Sequence, residues 1–293
     1  MNIQRILHPT DLQPGSRYAL PLAAELARKL DAELHVLHVE PMRGSVPLEV
    51  DEPAQLRMLK REPFLADMRL HTVCRQADDV ATAIVAYAAD HDVDLVVMSS
   101  QDLHGNLFRL LRSDALEVAR RSTCSVLRLE SDQLPELLRM RTLLVPFDYS
   151  HPSREALRWA AAIAARWGAR IALFHVIPEP VLRAGSDSLK RSRWRETHRR
   201  QAELRLIDIA GYLAPGVPVT LDIHFGDPAR EIVGRAAEGI DMVVMASHGM
   251  SAAKRLLIGS VAEEVQRLAA APVLLVKAQP GEAAQRPDAR RTA

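Results

Sequence analysis

The sequence predicts an α/β fold built twice, as two tandem units that are each a parallel sheet of five short strands with helices on both faces. Three observations predict it. The first is repetition: Ile6-Leu-His-Pro-Thr-Asp11 recurs as Leu143-Leu-Val-Pro-Phe-Asp148, Leu34-His-Val-Leu-His-Val-Glu-Pro41 as Ile171-Ala-Leu-Phe-His-Val-Ile-Pro178, and Asp94-Leu-Val-Val-Met98 as Asp241-Met-Val-Val-Met245. The landmarks keep their order, which marks a tandem duplication. The second is alternation between short apolar runs and longer stretches with apolar residues three and four apart, the pattern of parallel strands joined by helical crossovers. The third is that the fourth run of each copy, Leu95-Val-Val-Met98 and Met242-Val-Val-Met245, lacks polar alternation, as a strand buried on both faces does.

Taken in order, Ile3–His8 is short and apolar and predicts the first strand. Ser16–Leu30 places Leu20, Ala23, Ala24 and Ala27 on one face and predicts a helix. Glu33–Val39 is the second strand, Pro53–Asp67 the next helix and Met68–Arg75 the third strand. Val80–Ala89 reads as helix, Asp94–Ser99 as strand, Asp114–Arg121 as helix and Ser125–Leu129 as the fifth strand. The second copy repeats this from Arg141 to about Ala278. These patterns divide the chain into units at 1–130 and 141–278, joined by a polar, Pro-containing linker at Glu130–Met140. The tail, 279–293, has no apolar periodicity and is expected to be disordered.

The 293 residues suffice for two cores. A net charge of +1 gives no global field toward nucleic acid or membrane. Two cysteines, Cys74 and Cys124, are too few for a disulfide framework. With no long apolar run at the N-terminus, a cytoplasmic protein is expected. The apolar fifth strands, Val126–Leu129 and Val273–Val276, would lie at sheet edges, which are usually paired or covered. The two copies are therefore expected to pack through them as an intramolecular pseudo-dimer, and a homodimer of the whole chain stays open.

Ligands of such sheets bind beyond the carboxyl ends of the strands. There the second copy reads Ala246-Ser-His-Gly249, nine residues, then Gly259-Ser260-Val-Ala-Glu263. Gly249 lets backbone approach a ligand with no Cβ between them. Ser260 and Glu263 have the spacing of a capping box, with Ser260 as N-cap. The unpaired N–H groups of a helix start, with the positive end of its dipole, make a phosphate cradle. The plain alternative is a loop followed by a capped helix.

A Pro-x-Asp after the first strand, a His-Val in the second, and G-x-x-G, nine residues, G-S/T after the fourth resemble the universal stress protein family. The likeness covers nearly the whole chain as two copies. The signature departs at one place, where Ala246 replaces the first glycine. The resemblance implies two doubly wound, Rossmann-like domains with strand order 3-2-1-4-5 and ATP, with or without Mg, as the ligand of the intact loop. Carried over by position, Asp148 and Val176 would hold the base and ribose and Pro146 would line the base pocket. Met245 would border the loop, Ala246 and Gly249 would admit the phosphates, and Gly259, Ser260, Val261 and Ala262 would donate to them. Lys254 and Arg255 are either added charge for the phosphates or solvated loop residues.

In the first copy Ser99 stands at the position of Ala246, Asp102 at Gly249, Arg112 at Gly259 and Leu116 at Glu263. Asp114 would fall in the first helical turn, where a fixed carboxylate already satisfies the dipole. This copy is expected to be a structural or partner-binding unit.

His8, His35 and His38 fall on neighbouring strands, and His8 and His38 could share one side of the sheet, but no carboxylate or cysteine cluster at ligand spacing joins them, so no metal site is assigned. His175 matches His38, which points to an architectural role. The basic run Arg183–Arg200 continues into Ala202, Leu204, Leu206 and Ile209, an amphipathic helix with a charged outer face. Nucleic acid is not expected as a partner, and the protein partner is not readable. The resemblance thus implies a nucleotide-binding stress protein, whose second unit binds ATP and signals through partner contacts, that is not an enzyme and has no catalytic residues. A slow ATPase and a nucleotide-independent scaffold are the alternatives.

Overall fold

The computed structural model describes residues 3–12, 19–41, 53–99, 108–129, 139–179, 188–249 and 258–278. The tail, Lys254, Arg255, Asp102 and most of the linker lie outside them. In the first half the elements are β1 (Arg5–Thr10), α1 (Ala19–Leu30), β2 (Glu33–Pro41), α2 (Ala54–Leu59), β3 (Leu70–Ala77), α3 (Val80–Asp90), β4 (Leu95–Ser99), α4 (Phe108–Arg121) and β5 (Ser125–Leu129). The second half has β6 (Thr142–Pro146), α5 (His151–Trp167), β7 (Arg170–Ile177), α6 (Ser188–Leu213), β8 (Val219–Phe225), α7 (Pro228–Ala236), β9 (Met242–Ala246), α8 (Ser260–Leu268) and β10 (Val273–Val276).

All ten strands form one sheet in the order β3-β2-β1-β4-β5-β10-β9-β6-β7-β8. Each half is parallel, in its own order 3-2-1-4-5, and the halves join where β5 meets β10 antiparallel, Val126 opposite Leu275 and Leu127 opposite Leu274. Every residue of both strands is buried, so neither could stand as an open edge. Beside the sheet, Lys29 Nζ donates to Arg166 O at 3.2 Å while Arg166 donates to Lys29 O at 2.9 Å. These two residues occupy matching places in the halves, so the exchange is the self-complementary contact of a pseudo-two-fold axis.

One core lies on each side of the sheet, and each runs through both halves. Alternation along the strands divides them, as where Ile6 faces one core and Leu7 the other. The repeated landmarks have structural reasons. Asp94 Oδ2 accepts from the N–H groups of Gln4 and Arg5 at 2.7 and 3.0 Å, and Asp241 Oδ2 accepts from Arg141 and Thr142 at 2.8 and 2.7 Å. Each aspartate thus ties the start of the first strand to the fourth. His38 Nδ1–H donates to Thr10 O at 2.9 Å, and His175 Nδ1–H to Phe147 O at 2.7 Å, stapling the second strand to the end of the first.

Four sequence expectations change. The helix expected at Pro53–Asp67 is α2 followed by a short 3-10 turn at Pro63–Leu65, because Pro63 lacks an amide hydrogen and cannot continue a helix. The helix expected from Asp114 begins at Phe108, so Asp114 is well inside α4 and not in its first turn. With no glycine among residues 108–113, the chain keeps helical geometry six residues earlier. Leu204, assigned to the apolar face of α6, is 61% exposed, while Ala202 and Leu206 are buried. Finally, the N-cap of α8 is Gly259 and not Ser260, and no side chain caps the helix.

Candidate functional site

Beyond the carboxyl ends of β6, β7 and β9 lies a cavity of about 460 Å³, within the size range of small-ligand sites. Each element delivers its lining residues for a local reason. Strand β6 ends at Pro146 and the chain turns through Phe147, Asp148 and Tyr149 into α5. The turn is fixed by Asp148 Oδ1 accepting from Ser150 N at 3.0 Å, and by Ser150 capping α5 through Ser153 N at 3.2 Å. Tyr149 has φ 65°, a left-handed conformation that bulky residues rarely adopt. Leu12, its counterpart in the first half, has φ 63°, so both halves preserve this bend. Phe174, His175, Val176, Met245, Ile232 and Pro228 complete a largely apolar wall.

The opposite rim is backbone. Gly259 N donates to Ser247 O at 2.8 Å, bringing the 247–249 segment against the start of α8. A Cβ on Gly259 would meet backbone of the same segment, His248 Cα at 3.4 Å and Ser247 O at 3.6 Å. A Cβ on Gly249 would lie 2.5 Å from Asp148 Oδ2, so any larger residue there displaces the carboxylate beside it. The first helical bond of α8 is Glu263 N to Gly259 O at 2.9 Å. The N–H groups of Ser260, Val261 and Ala262 therefore have no carbonyl behind them in the helix, and these three residues line the cavity at the positive end of the helix dipole. Glu263 serves elsewhere: it pairs with Arg120 of α4 across the junction between halves.

All ten residues assigned from sequence, Pro146, Asp148, Val176, Met245, Ala246, Gly249, Gly259, Ser260, Val261 and Ala262, line this one cavity. Ala246 ends β9 without a positive φ, so alanine fits where the signature has glycine. Sequence reasoning missed Phe147, Tyr149, Ser153, Phe174, Pro178, Pro228 and Ile232, and it gave His175 an architectural role alone. Phe174 and Ile232 carry no local signal beyond apolarity. Burial lowers the pKa of His175, against the raising effect of Phe147 O and Asp148, so at pH 7 it is a neutral donor. Burial raises the Tyr149 pKa and keeps its hydroxyl protonated. His248 also lines the cavity, its Nδ1 3.0 Å from Ser247 Oγ.

Among the described residues the first half shows no matching rim. Ser113, aligned with Ser260, is an interior residue of α4, and the amides there follow a helical turn that α8 lacks.

A sequence model of the universal stress protein family matches residues 2–129 and again 140–277. The chain belongs to the universal stress protein family. A universal stress protein of Bacillus subtilis is 29% identical over 150 residues, 46% of this chain and 97% of that protein. One from Methanocaldococcus jannaschii is 30% identical over 153 residues, 47% of this chain and 94% of that protein. Among solved structures, a functionally unknown protein from Pseudomonas aeruginosa PAO1 covers 94% of this chain and 92% of its own, with 20% identity and a TM-score of 0.71. Such identity speaks to the fold alone. Universal stress proteins are stress-response proteins, some of which bind nucleotides. One was solved in complex with cAMP, with 23% identity, coverage of 45% of this chain and 99% of that one, and a TM-score of 0.36. Among the described residues of the present chain, no helix is long and apolar enough to cross a membrane.

Proposed function

We propose that this universal stress protein binds ATP in the second half and that the bound state alters its contacts with a protein partner. The observation that carries the reading is the rim of the cavity, where an uncapped helix start and two glycines place backbone N–H groups at the edge of an apolar chamber. Such a rim suits phosphates, because the donors are fixed and the dipole favours negative charge. The apolar wall of Pro146, Phe174, Val176 and Met245 suits a base, and backbone at Val176 can read its edge. Asp148 stands between them, placed to accept from ribose hydroxyls.

The residues present fit the nucleotide. Gly249 and Gly259 leave open the close approach that a Cβ would close. Asp148 is the one carboxylate lining the cavity among the described residues, and it would be the protein ligand of a magnesium ion carried in with the phosphates. When bound, magnesium supplies charge neutralisation at the phosphates. The protein's own contribution is to bind and orient.

The chain is read as a binder and not a hydrolase. A hydrolase needs a group that positions water and a cation that stabilises the transferred phosphoryl group. Asp148 Oδ1 is held by Ser150 N, and no lysine or arginine lines the cavity among the described residues. The test is mass spectrometry of small molecules released from freshly purified protein. An adenine nucleotide at close to one per chain supports the reading. Protein free of nucleotide that also fails to take up added ATP contradicts it and favours the scaffold alternative.

A further inference from the structure

The first half carries a second arrangement, on the side of its sheet that packs against α3. His35 of β2 and His71 of β3 are register partners, with ring centroids 4.8 Å apart. Glu33 lies two residues before His35 and so shares its face. One donor atom from each of Glu33, His35 and His71 lies within 4.8 Å of the others.

His35 is 6% exposed. Its Nδ1 is 2.7 Å from Tyr87 Oη, whereas its Nε2 is buried with no hydrogen-bond partner and lies 3.8 Å from Glu33 Oε2. A buried ring nitrogen without a partner calls for an explanation. In the tautomer that donates Nδ1–H to the tyrosine, Nε2 carries the lone pair on the side of Glu33. This is the outer-partner arrangement that orients metal-binding histidines. His35 and His71 open into a cleft of about 680 Å³, also lined by His91 and Asp67, with room for water to complete a coordination shell, while Glu33 lines the neighbouring cleft with Arg5 and Arg69.

The duplicated half supplies an internal control. Matching the strand registers puts Arg170 at Glu33, Ala172 at His35 and Thr220 at His71. All three donors are absent there, although the strands and their pairing are retained. The fold does not require these side chains, and they occur together in one copy only.

We propose that Glu33, His35 and His71 form a binding site for a divalent transition-metal ion of the zinc class. Two borderline imidazoles and one carboxylate form a donor set that such ions take, and three protein ligands leave one position open. Ligand atoms around a tetrahedral zinc lie about 3.3 Å apart, given bonds near 2 Å. Glu33 is partly exposed and His71 exposed, so both can close that distance on a buried, fixed His35. Arg5 and Arg69 stand 3.6 and 4.0 Å from the Glu33 carboxylate, longer than hydrogen-bond contact, and leave its oxygens able to turn to a metal. Their charge opposes a cation and tunes the affinity downward.

A second group, His38, Glu40 and Cys74, lies on the other face and sets the control. The experiment uses the untagged full-length chain, stripped with chelator and titrated with Zn²⁺ by calorimetry without nucleotide. A parallel Co²⁺ titration is followed by visible absorption. The expected result is one equivalent bound, with cobalt bands that show no thiolate charge transfer. His71→Ala, at an exposed position, and Glu33→Gln should each weaken Zn²⁺ by at least about tenfold, since even outer-shell losses cost that much. Cys74→Ser should leave binding unchanged. The proposal is overturned if the wild-type chain takes up no stoichiometric Zn²⁺, or if folded His71→Ala binds as tightly as wild type. It is equally overturned if Cys74→Ser abolishes binding, which would move the ion to His38. ATP affinity of the second half is independent of every one of these outcomes.

Discussion

Replacing Gly249 by aspartate copies the residue that the first half carries at the aligned position. The new Cβ falls 2.5 Å from Asp148 Oδ2, so Asp148 must move. It is the outer end of a flexible side chain, but its other oxygen is tied to Ser150 N at 3.0 Å, so moving it disturbs the turn that shapes the ribose end. The added carboxylate also faces Asp148 and the incoming phosphates. Two unit charges about 4 Å apart repel by about 4 kcal/mol at an effective dielectric near 20. If solvent leaves half of that, the loss of about 2 kcal/mol weakens ATP more than about tenfold. Gly249→Ala separates the two causes, since it adds the Cβ without the charge. Gly249 has no positive φ, so neither variant is strained by its backbone. The assay is a calorimetric ATP titration of wild type, Gly249→Ala and Gly249→Asp at low and high salt, beside melting curves without ligand. The alanine variant should lose less affinity than the aspartate variant, and the gap between them should narrow as salt screens charge. Unchanged affinity in a folded Gly249→Asp protein would refute the placement of phosphates at this rim.

Other consequences concern stability. His8 is fully buried, and desolvation lowers its pKa to about 4 against the raising effects of Val97 O and Asp11. Because the unfolded chain takes up that proton first, near pH 6.5, the contribution is complete above pH 6.5 and is lost as pH falls toward 4, by up to about 3 kcal/mol. Urea midpoints measured across this window should fall with pH, and His8→Leu should flatten the slope; an equal slope in the variant refutes the assignment. Leu274 is fully buried where β10 meets β5, so Leu274→Ala should cost about 2–5 kcal/mol by urea unfolding. With both cores continuous across the junction, unfolding should stay a single transition by circular dichroism, and two separated transitions would show that the halves are independent. The Arg120–Glu263 pair is about 40% exposed on both sides, so a double-mutant cycle should return about 1 kcal/mol or less, and less still in high salt.

The fold was legible because its signals are local or repeated. Duplicate landmarks announced the two halves, and the apolar runs of β4 and β9 announced buried strands. Even the junction followed from apolar fifth strands that could not remain as edges. The glycines of the rim were legible too, since close backbone approach restricts a position to one residue type. The cap of α8 was misplaced by one residue because a serine beside a glycine satisfies the same spacing rule, and the extended ψ of Gly259 decides between them. Tyr149 was missed because its bend comes from the turn around it and not from its own preference. His71 was missed as a partner of His35 for a different reason: it comes from another strand, and only the register brings the two together.

The central claim is one nucleotide site per chain, in the second half. It is tested most directly by the stoichiometry of ATP binding to the full-length protein, measured by calorimetry with active concentration known. The account predicts one ATP per chain. No binding would leave the rim without its ligand, and two per chain would contradict the contrast between the open start of α8 and the continuous helix α4.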